Sequence, residues 1–192
     1  MIKYKKILLL LFILLSSDKI FSQDNPAYSF DFESQYRSDQ LQAPWPKWGM
    51  NNYNIILDTT VKHFGKTSLL IEQSEPGEEG SFGCYYYFIP AVYKGREIEV
   101  RAFMKFENIS NSPIGLLLRI DGISGTLEFD NMMQENIRGT LDWDMYSVKL
   151  PLPEEATGIY IGAINSGTGK LWVDDFELLI DGKPFEQAPP KN

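Results

Sequence analysis

The sequence predicts an all-β protein, an antiparallel two-sheet β-sandwich of the jelly-roll type. Three observations carry this. Short runs rich in Val, Ile, Tyr, Phe and Trp recur along the chain, each bounded by Gly, Pro, Asn or Asp. Apolar and polar residues alternate with period two, most clearly where Ile98, Val100, Ala102, Met104 and Phe106 are interleaved with Glu97, Glu99, Arg101 and Lys105. Long apolar stripes at helical spacing are missing after Gln23.

Strands are expected at Tyr28 to Glu33, Tyr53 to Asp58, Ser68 to Glu72, Gly83 to Ile89, Glu97 to Phe106, Gly115 to Asp121, Leu127 to Asn131, Met145 to Leu150, Gly158 to Ile164 and Leu171 to Ile180. Runs this short, joined by turn chemistry, fit two packed antiparallel sheets better than a parallel sheet, which needs long crossovers. The expected core holds Phe30, Phe32, Ile98, Val100, Met104, Leu116, Leu118, Trp143 and Trp172.

Residues 1–22 have the plan of a secretory signal: basic Lys3, Lys5 and Lys6, an apolar run from Ile7 to Leu15, and a polar exit ending at small Ser22. The run is too short to span a bilayer. Residues 23–182 then form one domain, and residues 183–192, with three prolines, read as a flexible tail. The expected location is periplasmic or secreted, with no membrane span.

Acids outnumber bases 26 to 18 in the whole chain; the signal takes away Lys3, Lys5, Lys6 and Lys19 but only Asp18, leaving 25 against 14. Such a surface repels phosphate backbones, which argues against nucleic acid as a partner. Cys84 is the single cysteine, so no intramolecular disulfide forms and stability must come from burial.

No catalytic constellation is evident, and the protein is read as a non-enzyme. His63 is the only histidine and has no nucleophile motif around it. Glu97 and Glu99 loosely resemble the acidic strand of jelly-roll glucanases, but the third acid is missing and Arg101 stands beside them.

Acidic residues also lie at both ends of the domain, in Phe30-Asp31-Phe32-Glu33 and Trp172-Val173-Asp174-Asp175-Phe176. If first and last strands pair, Glu33 and one aspartate approach each other. Two carboxylates drawn together among apolar strands need a shared proton or a hard cation such as calcium. The plain alternative is that Asp174 and Asp175 solvate an edge strand.

Phe32-Glu33, the segment His63-Phe64-Gly65-Lys66-Thr67-Ser68-Leu69 and the terminal Val173-Asp174-Asp175-Phe176 together resemble the galactose-binding-like jelly rolls, including calcium-containing carbohydrate-binding modules. The phrases Gly115-Leu116-Leu117-Leu118-Arg119-Ile120-Asp121-Gly122 and Gly169-Lys170-Leu171-Trp172-Val173-Asp174-Asp175 are most similar to a secreted Bacteroidetes domain found ahead of tail-specific peptidase or erythromycin-esterase-like domains. The resemblance implies a structural calcium on Glu33 and on Asp174 or Asp175, with a backbone carbonyl from the Lys66 region.

Sugar binding needs exposed rings for stacking and polar groups for hydroxyls. Trp45 and Trp48, in a proline-rich loop, are the stacking candidates, although they could equally close one end of the sandwich. Arg119 and Asn131 are the polar candidates. Arg119, on an apolar strand, must reach water or pair with Asp121 or Asp130. The function read from the sequence is a non-catalytic secreted binding module for carbohydrate; the alternative is a structural or protein-interaction accessory domain for an exported enzyme.

Overall fold

The computed structural model describes residues 30–33, 47–110 and 113–191. The expected signal segment and Trp45 lie outside the described residues. Eleven strands follow in chain order: β1 (Lys47–Gly49), β2 (Tyr53–Asp58), β3 (Ser68–Gln73), β4 (Gly83–Pro90), β5 (Glu97–Ile109), β6 (Ile114–Gly122), β7 (Gly125–Asp130), β8 (Gly139–Pro151), β9 (Gly158–Asn165), β10 (Lys170–Ile180) and β11 (Lys183–Pro184). They form a five-stranded sheet in the order β1-β4-β9-β6-β7 and a six-stranded sheet in the order β2-β3-β10-β5-β8, with β11 attached to β10. Every pairing is antiparallel. The chain is therefore an all-β sandwich.

Period-two alternation sorts each strand between core and surface. Tyr85, Tyr87 and Ile89 of β4, Leu116, Leu118 and Ile120 of β6, and Ile159, Ile161 and Ala163 of β9 all point inward. They meet Ile98, Val100, Ala102, Met104 and Phe106 of β5 across the gap between the sheets. Each fully buried aliphatic or aromatic side chain contributes roughly 1.5–3 kcal/mol through area removed from water. Residues between them, including Tyr86, Leu117, Arg119 and Tyr160, are thereby directed to the outer face of the five-stranded sheet.

The expected first strand differs. Residues 30–33 are not extended: the Glu33 amide donates to Asp31 Oδ1 at 3.0 Å, and Phe32 adopts the left-handed conformation at φ 61°. β5 covers one edge of β10, while on the other the pairing with β3 ends at Val173 and that with β11 begins at Leu179, so residues 30–33 meet only the short stretch between them and meet it without forming a strand. Contact is instead made at a bulge in β10, where the register against β5 shifts between Asp174 and Glu177 and the Phe176 amide donates to the Phe30 carbonyl at 3.2 Å. Phe32 still seals the core, fully buried against Phe176 and Tyr85.

The C-terminal residues read as a flexible tail are packed down. Phe185 is 1% exposed and lies against Phe30 and Tyr93. The Lys94 amide donates to the Pro189 carbonyl and the Lys191 amide to the Val92 carbonyl, both at 2.7 Å. The single buried aromatic outweighs the prolines around it. Trp143, expected in the core, is only partly buried and neighbours His63 on the outside of the six-stranded sheet.

Candidate functional site

The outer face of the five-stranded sheet carries a groove of ≈ 240 Å³ lined by Lys47, Trp48, Tyr86, Leu117, Arg119 and Tyr160. Four strands supply these residues, and strand register brings them together. Below them lies a small apolar layer of Cys84, Leu117 and Ile164. Cys84 is fully buried there, and burial pushes its thiol up to about 12, so it is packing material rather than a nucleophile.

The rings pack edge to face. Trp48 stands against Phe82 at 5.7 Å and Tyr86 at 6.1 Å, while Tyr160 touches Tyr86 at 5.7 Å and Phe88 at 5.1 Å. Gly162 is directly opposite Tyr86 in the sheet; a Cβ there would run into the Tyr85 carbonyl and the Tyr86 backbone, so the close approach of β9 to β4 beneath Tyr86 requires glycine. Trp48 remains half exposed, as do Phe88 and Phe129.

Arg119 is the fixed polar element. Its guanidinium donates to both Asp121 oxygens, Nε to Oδ1 at 2.7 Å and the terminal nitrogen to Oδ2 at 2.9 Å, and its charge lies 5.6 Å from the centre of the Tyr160 ring. This bidentate contact holds the Asp121 carboxyl below the usual carboxylate range and raises Arg119. Two of the five guanidinium N–H groups are thus committed, and the rest are available to a ligand. Of the two acids that the sequence offered Arg119, Asp121 is the partner.

Trp48 and Arg119 therefore share one groove. Asn131 does not line it: one residue beyond β7, its Oδ1 accepts the Met133 amide at 3.3 Å. Tyr86, Leu117, Tyr160 and Lys47 were missed as groove residues. The signal was available, since alternation within Cys84-Tyr85-Tyr86-Tyr87-Phe88 must place Tyr86 and Phe88 outside once Tyr85 and Tyr87 are inside.

The acidic residues of the metal reading collect around residues 63–67. Glu33 Oε1 accepts the Lys66 amide at 2.6 Å and the Thr67 amide at 3.1 Å. Gly65, at φ 66°, lies so near this oxygen that any side chain would collide with it. From β10, Asp174 Oδ2 accepts the His63 amide at 3.0 Å and the Phe64 amide at 3.2 Å. Asp174 is 1% exposed and no cationic side chain pairs with it among the described residues; burial pushes its carboxyl up to about 6.

Asp175 turns away, 2.9 Å from His63 Nδ1, and the His63 ring stacks on Phe103 at 3.7 Å. Lys66 presents its N–H, not its carbonyl, in the contact with Glu33. Among the described residues no group of three or more Asp, Glu, His or Cys converges as a metal cluster. Glu33 and Asp174 both hold the 63–67 loop through its amides, and Asp174 is the buried one of the two.

The carboxylates considered for catalysis are tied up. Glu99 accepts both Arg101 contacts, at 2.7 and 2.9 Å, which keeps its carboxyl below the usual range, and Lys149 reaches Glu97 at 3.1 Å. A general acid needs the opposite shift.

Comparison with known proteins shows what this sandwich is similar to in fold. The chain resembles, in fold, a xylan-binding domain of CBM22, with a TM-score of 0.53, 16% identity, and coverage of 82% of this chain and 96% of that one. The tandem CBM22-1–CBM22-2 domain of Paenibacillus barcinonensis Xyn10C gives a TM-score of 0.55 and 13% identity, covering 86% of this chain and 46% of that one. The C-terminal family 22 module of Clostridium thermocellum Xyn10B gives 0.50 and 16%, covering 82% and 94%. No protein-family profile matches the chain. In sequence it is 29% identical over 162 residues to the uncharacterized HTH-type transcriptional regulator YbfP of Bacillus subtilis (strain 168), covering 80% of this chain and 55% of the regulator. The chain thus spans little more than half of that relative's length. Among the described residues no helix is long and apolar enough to cross a membrane.

Proposed function

We propose that the protein is a non-catalytic carbohydrate-binding module, exported to the periplasm or beyond, and that the groove on the five-stranded sheet is its binding site. The observation that carries this reading is the convergence of Trp48, Tyr86 and Tyr160 with an Arg119 immobilised by Asp121. Sugar rings offer apolar faces to aromatic side chains and hydroxyls to fixed donors. Because Asp121 and Tyr160 hold Arg119 in place, little rotamer freedom is lost on binding. At ≈ 240 Å³ the groove is smaller than the clefts of about 300–1,000 Å³ that enclose drug-sized ligands. It suits surface recognition of part of a longer chain.

Calcium on Glu33 and Asp174, with a carbonyl from the Lys66 region, belongs to the same proposal as a structural ion. Bound there it would supply positive charge against the buried Asp174 carboxylate and tie residues 63–67 to β10. Those residues meanwhile hold the loop by accepting its amides.

The test is a glycan-array screen of residues 23–192, with and without a chelator. The expected result is binding to defined glycans by the parent and loss of that binding in Trp48→Ala. Binding to no glycan, together with capture of an exported enzyme at the same face, would favour the accessory-domain alternative.

A further inference from the structure

Charge in the groove runs against the charge of the molecule. Acids outnumber bases 26 to 18 in the chain, yet among the described residues the only charged side chains lining the groove are the two cations Lys47 and Arg119. The one carboxylate nearby, Asp121, is already bonded through both oxygens to Arg119. Lys47 is exposed on β1 at the rim of the sheet, and among the described residues no carboxylate pairs with it. On the six-stranded sheet, by contrast, Arg101, Lys105, Lys149 and Lys170 are each paired with a carboxylate.

The register extends this polarity along a line. Phe88 is opposite Tyr160, Tyr160 opposite Arg119, and Arg119 opposite Phe129. The row crosses four strands and so three inter-strand gaps, roughly 14 Å. It runs perpendicular to the strands, with exposed rings at both ends and the guanidinium between them. Such a row matches an extended polymer that lays apolar faces on the rings and carries an anionic group toward Arg119, with Lys47 off the row on β1 at the rim of the same groove.

We propose that the ligand is an acidic glycan, a chain carrying uronate carboxylates, bound across the strands with a carboxylate toward Lys47 and Arg119. The proposal rests on the carbohydrate reading of the groove and narrows it to a substrate class. The Lys47 ammonium and the Arg119 guanidinium make stronger, ion-paired hydrogen bonds to a carboxylate than to the hydroxyls of a neutral sugar. The bidentate hold on Arg119 fixes those groups in place, while Lys47 acts as a mobile point charge.

The experiment measures calorimetric affinities for two matched pairs: xylotriose against glucuronosyl-xylotriose, and galactotriose against trigalacturonate. In at least one pair the uronate is expected to bind about tenfold tighter at low ionic strength, and the advantage should shrink as salt rises toward 1 M. Lys47→Gln should reduce that ratio about three- to fivefold, the contribution of one exposed charge pair. Lys183→Gln, on β11 of the other sheet, should leave both affinities unchanged. Equal affinity within each pair at all salt concentrations would overturn the acidic-ligand proposal and leave the carbohydrate reading standing. If the uronates were favoured but Lys47→Gln and Lys183→Gln weakened them alike, the preference would be diffuse charge and the placement at the groove would be overturned. No binding of any of the four would overturn both.

Discussion

Asp174 gives a prediction in which sign and size follow from the structure. Its carboxyl is 1% exposed, accepts three amides and faces no cationic side chain among the described residues. Burial lifts it from 3.8 to about 6. At 1.36 kcal/mol per pKa unit, ionising it in the metal-free fold costs on the order of 3 kcal/mol at neutral pH. Because the folded value is raised, the native state binds more protons than the unfolded chain between about pH 4 and 6. This group's contribution is fully present below pH 4, declines as pH rises to 6, and is constant above. Asp174→Asn keeps one acceptor oxygen for the loop amides and removes the titration. In chelator, urea unfolding of parent and variant should therefore diverge across pH 4–6, the parent losing stability relative to Asn. Calcium at about a hundred times its dissociation constant should restore roughly 2.7 kcal/mol to the parent at neutral pH. Parallel pH profiles for the two proteins would refute the uncompensated buried charge.

Two further outcomes test the frame. Phe185→Ala should lower stability by about 3–5 kcal/mol, read as the shift in urea midpoint at unchanged slope, because a fully buried ring joins the C-terminal residues to the core; a surface-like effect below about 0.5 kcal/mol would return these residues to the status of a tail. Glu99→Gln should cost about 1 kcal/mol at neutral pH, a charged hydrogen-bond pair discounted for the partial exposure of Arg101. The lowered Glu99 carboxyl gives stability that is present above the ordinary glutamate value and lost as acid drops the pH through its folded value. The gap between parent and Gln variant should accordingly close as acid takes the pH from the ordinary glutamate value down through the lowered one.

Nine of the ten strands read from the sequence exist, eight of them within three residues of their expected ends, since period-two alternation is a local property that packing reinforces; the ninth, β8, starts at Gly139, six residues before the expected Met145. Tyr53–Asp58 matches at both ends, and Glu97 begins β5 as read. Failures arose where a local signal met a non-local constraint. Phe30-Asp31-Phe32-Glu33 alternates like a strand, but the Asp31 carboxylate turns the chain by accepting the Glu33 amide and Phe32 takes a left-handed conformation to reach the core, leaving one backbone bond to β10. The 183–192 segment looked polar and proline-rich, but the fate of Phe185 depended on a pocket built by Phe30 and Tyr93. Trp48 and Arg119 were legible one at a time, as an aromatic in a loop and as a cation on an apolar strand. Their shared groove was not, because it depends on the sheet order β1-β4-β9-β6-β7, which sequence spacing does not encode. Glu33 and Asp174 meeting residues 63–67 came from the resemblance, whereas Asp175 turning to His63 depended on a bulge visible only in three dimensions.

The central claim, that the aromatic groove is a glycan site, is tested most directly by measuring Trp48→Ala twice. Trp48 is half exposed on a short edge strand, so its ring contributes little to folding and much to any ligand laid over it. Calorimetric titration with the glycan that the parent binds should show affinity falling at least fivefold, about 1 kcal/mol or more, while the melting temperature stays within a degree or so of the parent. Unchanged affinity, or a loss of binding matched by a fall in melting temperature, would contradict the claim and make Trp48 a structural lid.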